Sequence, residues 1–326
     1  MKIIFGACFA IIALFVNISP VLAATDWNNV PANDFVKIVN DEIENSQNAK
    51  IDSLSASYVY KKMGDKKTIY YTGKSLSGSF YNSSSTNSFT VSSSTYLFEM
   101  GKTRPKIINT MSVVSDGKDI YFKVDGLKNK SLRNKWIKST AAQYDTIGNG
   151  LRVNELFLAF DNSTIGESKI KYEKIYAAQK KSQYWQRYTE EIDDDFTVAN
   201  ATRYNFEPKE SAIKPYYTEI QNTLTLKEVG YAAKSYADFL ENLTDDAVTE
   251  FMAENSYMSV WIDTVSKKPV RIVTIEWIPV TEKKKTVFVL NFTDTEISGY
   301  NVQPKLVLPS TSTDAVSAAQ LLKIKL

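Results

Sequence analysis

The sequence predicts an α+β protein with a mainly antiparallel sheet, and three observations lead there. An amphipathic segment, Pro31–Ser46, comes first. A long series of alternating apolar and polar segments then runs from Leu54 to Lys138. Two further helical periods, Leu226–Leu243 and Thr244–Glu254, precede a β-meander that starts at Tyr257. Helix, strands, helices and strands in that order point to α+β rather than to repeated βαβ units.

In the first segment Phe35, Val36, Ile38, Val39 and Ile43 recur at helical spacing, with Asp34, Asp41 and Glu42 on the other face. Pro31 suits the first turn of a helix. The period then changes to two: Leu54, Ala56, Tyr58 and Tyr60 alternate with Ser55, Ser57 and Val59, which marks a strand. Further strands are expected at Thr68–Thr72, Ser75–Tyr81, Ser88–Phe98 and Lys106–Val114. The stretch Ser77–Ser94 is rich in serine. Its interspersed Phe80, Tyr81, Phe89 and Val91 fit a solvated outer strand as well as a loop. Ser115-Asp116-Gly117-Lys118 is a hairpin turn that leads into Asp119–Val124, and Lys135–Lys138 reads as a short strand.

Residues Thr140 to Asn200 break this regularity and read as an insertion or a helical lid. Leu151, Leu156, Leu158 and Phe160 suggest a helix there. Lys171–Tyr188 is charged and aromatic without a clean period. Arg203–Phe206 is expected to be a strand. The meander comprises Tyr257–Thr264, Val270–Ile278, Thr286–Phe292 and a last short strand, Asn301–Leu308.

Composition excludes more chemistry than it proposes. Apolar residues make up 43% of the chain, charged residues 23% and aromatic residues 12%, with a formal net charge of +2. That balance belongs to an ordered globular protein and gives no field favouring nucleic acid. The sequence contains no histidine, which removes imidazole bases, Ser-His-Asp triads and histidine metal sites. Its single cysteine, Cys8, lies in an apolar N-terminal stretch, Ile3–Ile18. Lys2, that stretch and the small-residue site Val21-Leu22-Ala23 read as a secretory signal peptide over residues 1–23. The expected mature protein is exported, lacks thiols and holds its fold by core burial alone. Phe5-Gly6-Ala7-Cys8 precedes the apolar region rather than following it, so no lipid attachment is expected there.

Catalytic motifs are weak. Ser-x-x-Lys occurs at Ser115/Lys118, Ser168/Lys171 and Ser211/Lys214, without the Lys-Thr-Gly partner of penicillin-recognising enzymes. The run Asp193–Asp195 lacks the alternating calcium-loop pattern and reads as a solvated acidic loop. Paired carboxylates could serve glycoside hydrolysis, but with 37 acidic residues the sequence selects no pair. Trp136, Trp185, Trp261 and Trp277 could stack on sugars; packing is the simpler reading for the two in apolar strands. With 12 glycines in total, there is no glycine-rich phosphate loop. No enzyme activity, cofactor or metal is expected.

Several short motifs resemble the LolA-like lipoprotein-carrier fold, especially the LppX/LprG-type lipid-binding lipoproteins and their secreted relatives. They are the strand–turn–strand Ser112–Lys123, Asn134-Lys135-Trp136-Ile137-Lys138, Val260-Trp261-Ile262-Asp263, Lys268-Pro269-Val270-Arg271-Ile272 and the ending Ile297-Ser298-Gly299-Tyr300-Asn301. The likeness covers about Pro31–Lys138 and Arg203–Pro309. It implies one domain over 24–326, an unclosed β-barrel with helices over its concave face, and an insertion at 140–200. It also implies a lipid, acyl-chain or lipoprotein ligand in that concavity. Ligand contacts would come from Ile120, Phe122 and Val124, from Met258, Val260 and Ile262, and from Phe288, Leu290 and Phe292. Period-two alternation puts each trio on one side of its strand. The alternative is a cell-surface interaction module whose concavity is filled by the helices Pro31–Ser46 and Leu226–Leu243.

Overall fold

The structure, a computed structural model, describes residues 25–44, 48–63, 68–82, 87–99, 106–125, 131–132, 134–140, 173–188, 196–223, 233–282, 285–300 and 305–322, with 46, 143 and 302. Residues 1–23, read above as a leader, the acidic run at 193–195, Leu151–Phe160, Ser168/Lys171 and Leu226–Ala232 lie outside the described residues.

Among the described residues twelve strands form one sheet: β1 (Asn48–Tyr60), β2 (Thr68–Asn82), β3 (Asn87–Glu99), β4 (Lys106–Ser115), β5 (Ile120–Asp125), β6 (Ile137–Ser139), β7 (Trp185–Tyr188), β8 (Ala201–Pro208), β9 (Tyr257–Asp263), β10 (Pro269–Glu282), β11 (Lys285–Ser298) and β12 (Thr313–Asp314). Their order is β12-β6-β5-β4-β3-β2-β1-β11-β10-β9-β8-β7. Among these strands the β12–β6 pair is parallel and the others are antiparallel. The sheet is not closed; β12 and β7 are its edges. Six helices accompany it among the described residues: α1 (Ala32–Glu44), α2 (173–182), α3 (Glu210–Thr223), α4 (Ala233–Asn242), α5 (Asp246–Asn255) and α6 (Ala315–Leu322). Among the described residues, no helix is long and apolar enough to cross a membrane.

Several elements differ from the sequence reading. Thr68–Thr72 and Ser75–Tyr81 are one strand, because Gly73 and Lys74 stay in the ladder opposite Ala56 and Ser55. The serine-rich stretch falls largely in β2 and β3, paired over their length by backbone bonds that do not depend on side-chain polarity. The last part of the segment 140–200 supplies α2 and the edge strand β7. Helix α3 was hidden by Pro215 at its centre, ordinarily a helix-breaking signal. The described part of 301–308 is not a strand: Val302 and Val307 are 65% and 66% exposed. The last described elements are β12 and α6, whose first turn is held by Asp314 Oδ1 accepting from Ser317 N at 2.9 Å.

Register fixes which side chains share a face. One row of cross-strand partners runs Ser53, Thr295, Ile272, Val260 and Tyr204, and Val124 pairs with Met111 at the far flank. Directly opposed residues point to the same side of a sheet. This row lies on the side that carries α1, since Tyr204 stacks on Phe35 of that helix at 5.2 Å. Phe35 is fully buried and also meets Trp27 and Phe206 at 5.1 and 4.7 Å. The face is apolar at both flanks and hydroxyl-rich between them. There the Ser53 and Thr295 hydroxyls bond at 2.9 Å, and Ser57 donates to Asn291 Oδ1 at 2.8 Å. Accordingly Ser53 and Ser57 are buried, while Leu54 on the other face is 49% exposed.

Candidate functional site

Buried apolar residues form two clusters. The larger gathers α1 with β1, β4, β5, β8 and β9; the smaller gathers α2, α3, α4 and α5 against β10 and β11. A cavity lies where they meet. Val36 and Met258 reach it from the first, and Ile175, Tyr184 and Tyr216 from the second.

Local sequence explains how these walls are placed. Along α2, Ile175, Ala178 and Gln179 are buried while Lys180 and Lys181 are exposed, the spacing of one helical face. The helix ends at Gln183, whose φ of 55° is left-handed, and Tyr184 N donates to Gln179 O at 3.0 Å. This helix-ending turn reverses the chain and brings Tyr184 and Trp185 inward. Asn33 of α1 then clamps Trp185: its Oδ1 accepts from Trp185 N at 2.7 Å and its Nδ2 donates to Trp185 O at 3.0 Å. Asn40 of α1 bonds the Tyr176 hydroxyl. Tyr184 packs on Tyr216 at 4.2 Å and edge-on to Trp185 at 4.9 Å.

The floor comes from β10 and β11. Thr274 opposes Thr293, and Glu276 opposes Asn291. These residues share the face of Ile272 and Thr295 by period-two alternation. Glu276 accepts a hydrogen bond from the Tyr217 hydroxyl at 2.6 Å. Its side chain keeps some accessible surface because it lines the cavity, yet protein surrounds the carboxyl and water solvates it poorly. Burial therefore raises its pKa to about 7, against the opposing effect of the Tyr217 bond. Burial likewise pushes the Tyr184 and Tyr217 phenols well above their ordinary range, and the nearby Glu276 charge adds to both shifts.

Three buried polar atoms of the wall find no hydrogen-bond partner among the described residues: Gln179 Oε1, Trp185 Nε1 and Asn291 Nδ2. The Gln179 and Asn291 side chains belong to residues only 6% and 3% exposed. The space open to water-sized molecules is about 60 Å³. At about 10–15 Å³ for one water, that admits about four to six heavy atoms.

The structure separates the residues selected from sequence. Ile120, Phe122, Val124, Met258, Val260 and Ile262 all join the larger cluster, none more than 6% exposed. Of these, Met258 also lines the cavity. The third trio divides. Phe292 opposes Ile275 and Ala56 and stacks on Phe196 at 6.0 Å, away from the cavity, while Phe288 is 8% exposed, joins the smaller cluster and meets Phe251 of α5 at 6.4 Å. Leu290 opposes Trp277 and Tyr58. The apolar alternation of β11 misleads because the helix-bearing face of this strand carries Asn291, Thr293 and Thr295. Sequence reasoning passed over Glu276, although a lone carboxylate between Ile275 and Trp277 in an apolar strand was a visible signal.

Other sequence motifs fare as surface or structural features. Ser115 Oγ accepts from Gly117 N at 3.1 Å, a bond internal to the hairpin turn. Ser211 and Lys214 are exposed on α3. Trp261 lies on the face away from the helices, flanked by Arg203 at 4.8 Å and Arg271 at 5.7 Å. Arg271 also grips Asp294 through two bonds of 2.9 and 2.7 Å. Among the described residues no cluster of three or more acidic or thiol side chains could hold a metal ion. No family model matches the chain, and no curated protein does.

Proposed function

We propose that this is an exported, non-enzymatic binding protein: a half-barrel whose helices fill most of the inner face and leave a cavity for one small ligand or head group. Export rests on the leader-like residues 1–23. Curvature is supported by the larger cluster, which includes both Phe122 of β5 and Val260 of β9, seven positions apart in the sheet. At ~4.8 Å per strand a flat sheet would separate them by about 34 Å, far beyond the ~10–12 Å width of one helix.

One observation carries the binding reading. Gln179 Oε1 and Asn291 Nδ2 are buried without partners among the described residues, in a wall that they share with Glu276, two threonines and mainly aromatic and aliphatic side chains. An unsatisfied buried polar group costs about 1–3 kcal/mol, so a purely structural core does better with apolar residues at such positions. Convergent polar groups in a largely apolar hollow are the usual form of a small-molecule site. The volume restricts what enters. A fatty acyl chain, the ligand that the family resemblance implies, exceeds four to six heavy atoms several-fold; a lipid head group or a small free molecule fits. Among the described residues the cavity presents one carboxylate, and a glycosidase needs an acid–base pair.

The competing reading, a surface interaction module with a filled core, draws on the close packing around Val260, which is 1% exposed. Native mass spectrometry of protein from its natural source separates the two. The binding reading expects a co-purifying small molecule that is lost in Thr274→Trp, where the new ring occupies the cavity, and retained in Val260→Trp. The latter overpacks the neighbouring cluster and destabilises by about 1–3 kcal/mol without touching the site. A clean protein mass in all three forms favours the interaction module.

A further inference from the structure

We infer that the ligand's polar end is a protonated amine with a neutral hydroxyl close to its nitrogen, the chemistry of ethanolamine and its N-methylated forms. The inference rests on the binding reading above and names the ligand class of that same cavity.

The argument is one of complementarity. Glu276 is the only charged side chain that lines the cavity among the described residues. The groups facing it are uncharged on every packed element: Tyr176 and Gln179 from α2, Tyr184 from the turn after it, Tyr216 and Tyr217 from α3, and Asn291 and Thr293 from β11. Among the described residues no cation stands against a carboxylate so placed. A buried charge of this kind is stabilised by a partner of opposite sign. The walls point to the same partner, because tyrosine and tryptophan rings attract cations through their negative faces. Gln179 Oε1 adds an unpartnered acceptor for an N–H donor.

The remaining orphan atoms define the second half of the ligand. Asn291 Nδ2 and Trp185 Nε1 are donors, so the ligand must also offer an acceptor. Glu276 and Asn291 are directly opposed across β10 and β11. Opposed Cβ atoms lie ~4.5–5.5 Å apart, which sets the amine and its acceptor within two or three bonds of each other. A second carboxylate, as in an amino acid, would place two negative charges side by side with one cation between them. A hydroxyl satisfies the donors without that repulsion. Ethanolamine has four heavy atoms and its N,N-dimethyl derivative six, within the available space.

The test is calorimetric titration of the purified full-length protein at pH 8 with ethanolamine, N,N-dimethylethanolamine, glycine and ethylene glycol. The amino alcohols should bind at least tenfold more tightly than glycine or the diol. Glu276→Gln should weaken them at least tenfold. If that variant does not fold, the wild-type pH profile replaces it: affinity should fall below about pH 7, where the carboxyl takes up its proton. Equal binding of the diol, or a Glu276→Gln affinity equal to that of wild type, overturns the amine assignment. If amino alcohols fail while another small molecule binds and Thr274→Trp blocks it, the amine inference falls and the cavity reading stands. If nothing binds and Thr274→Trp changes nothing, both fall.

Discussion

The two clusters on the helix-bearing side of the sheet bury aromatic rings in different company. Around α1 the buried rings are Trp27, Phe35, Phe122 and Phe206, set among valines, isoleucines and methionines, and the tyrosines that touch this cluster, Tyr176, Tyr204 and Tyr300, are only partly buried at its margin. Under α2 to α5 the buried rings include Tyr184, Tyr216 and Tyr217, and the Tyr217 hydroxyl ends on a carboxylate. Hydrocarbon packing needs no partner and tolerates no gap. A tyrosine hydroxyl or an acid must be matched, and matching can be left incomplete where a ligand is to complete it. The first cluster therefore reads as the stabilising core and the second as the one shaped for recognition, with the cavity at their border.

If that contrast is right, the largest loss of stability lies in the first cluster. Phe35→Ala removes a fully buried ring held between Trp27, Tyr204 and Phe206. It should cost about 3–5 kcal/mol in urea denaturation. A loss below about 1 kcal/mol would show that α1 is not part of the core.

The second effect belongs to the other cluster and depends on pH. The folded-state pKa of Glu276 is about 7, above its ordinary value of 4.5. The folded protein thus binds this proton more tightly than the unfolded chain does. The resulting stability is fully present below about pH 4.5 and is lost as pH rises through about 7. The loss amounts to about 3 kcal/mol, at about 1.4 kcal/mol per pKa unit. Unfolding free energies at pH 5 and pH 8.5 should show that decline in wild type and not in Glu276→Gln. An equal decline in both would assign the pH dependence to other groups.

The same contrast explains what was legible in the sequence. The helix at Pro31–Ser46, the hairpin at Ser115–Lys118 and the meander strands announce themselves through apolar periodicity, because their burial is of the ordinary kind. The α+β class and the antiparallel sheet follow from those elements. The candidate site was not legible, since its signals run against that logic. On β11 the residues that face the helices are Asn291, Thr293 and Thr295, so a search for apolar faces selected Phe288, Leu290 and Phe292 instead. On α2 the buried Gln179 and the neighbouring lysines blur the period. On α3 Pro215 masks a helix whose Tyr216 and Tyr217 form the wall.

The smallest effect probes the polar strip between the two apolar flanks. Ser53 and Thr295 are buried at 9% and 2% exposure, and their hydroxyls bond each other at 2.9 Å. Nothing in that pair faces the cavity, so it serves as a polar contact that is satisfied inside the protein. Ser53→Ala strands the Thr295 hydroxyl and should cost about 1–3 kcal/mol. Adding Thr295→Val removes the stranded group while keeping its shape, and the double variant should return to within about 1 kcal/mol of wild type. Neither change should alter ligand binding. Asn291 differs at this point, because its Oδ1 is matched by Ser57 while its Nδ2 has no partner among the described residues, and the residue lines the cavity. Replacing Asn291 by leucine should therefore abolish binding even where stability is kept. If the Ser53/Thr295 double variant loses binding as completely as Asn291→Leu, the hydroxyl strip belongs to the site, and the border between core and recognition surface must be drawn one residue pair further along β11.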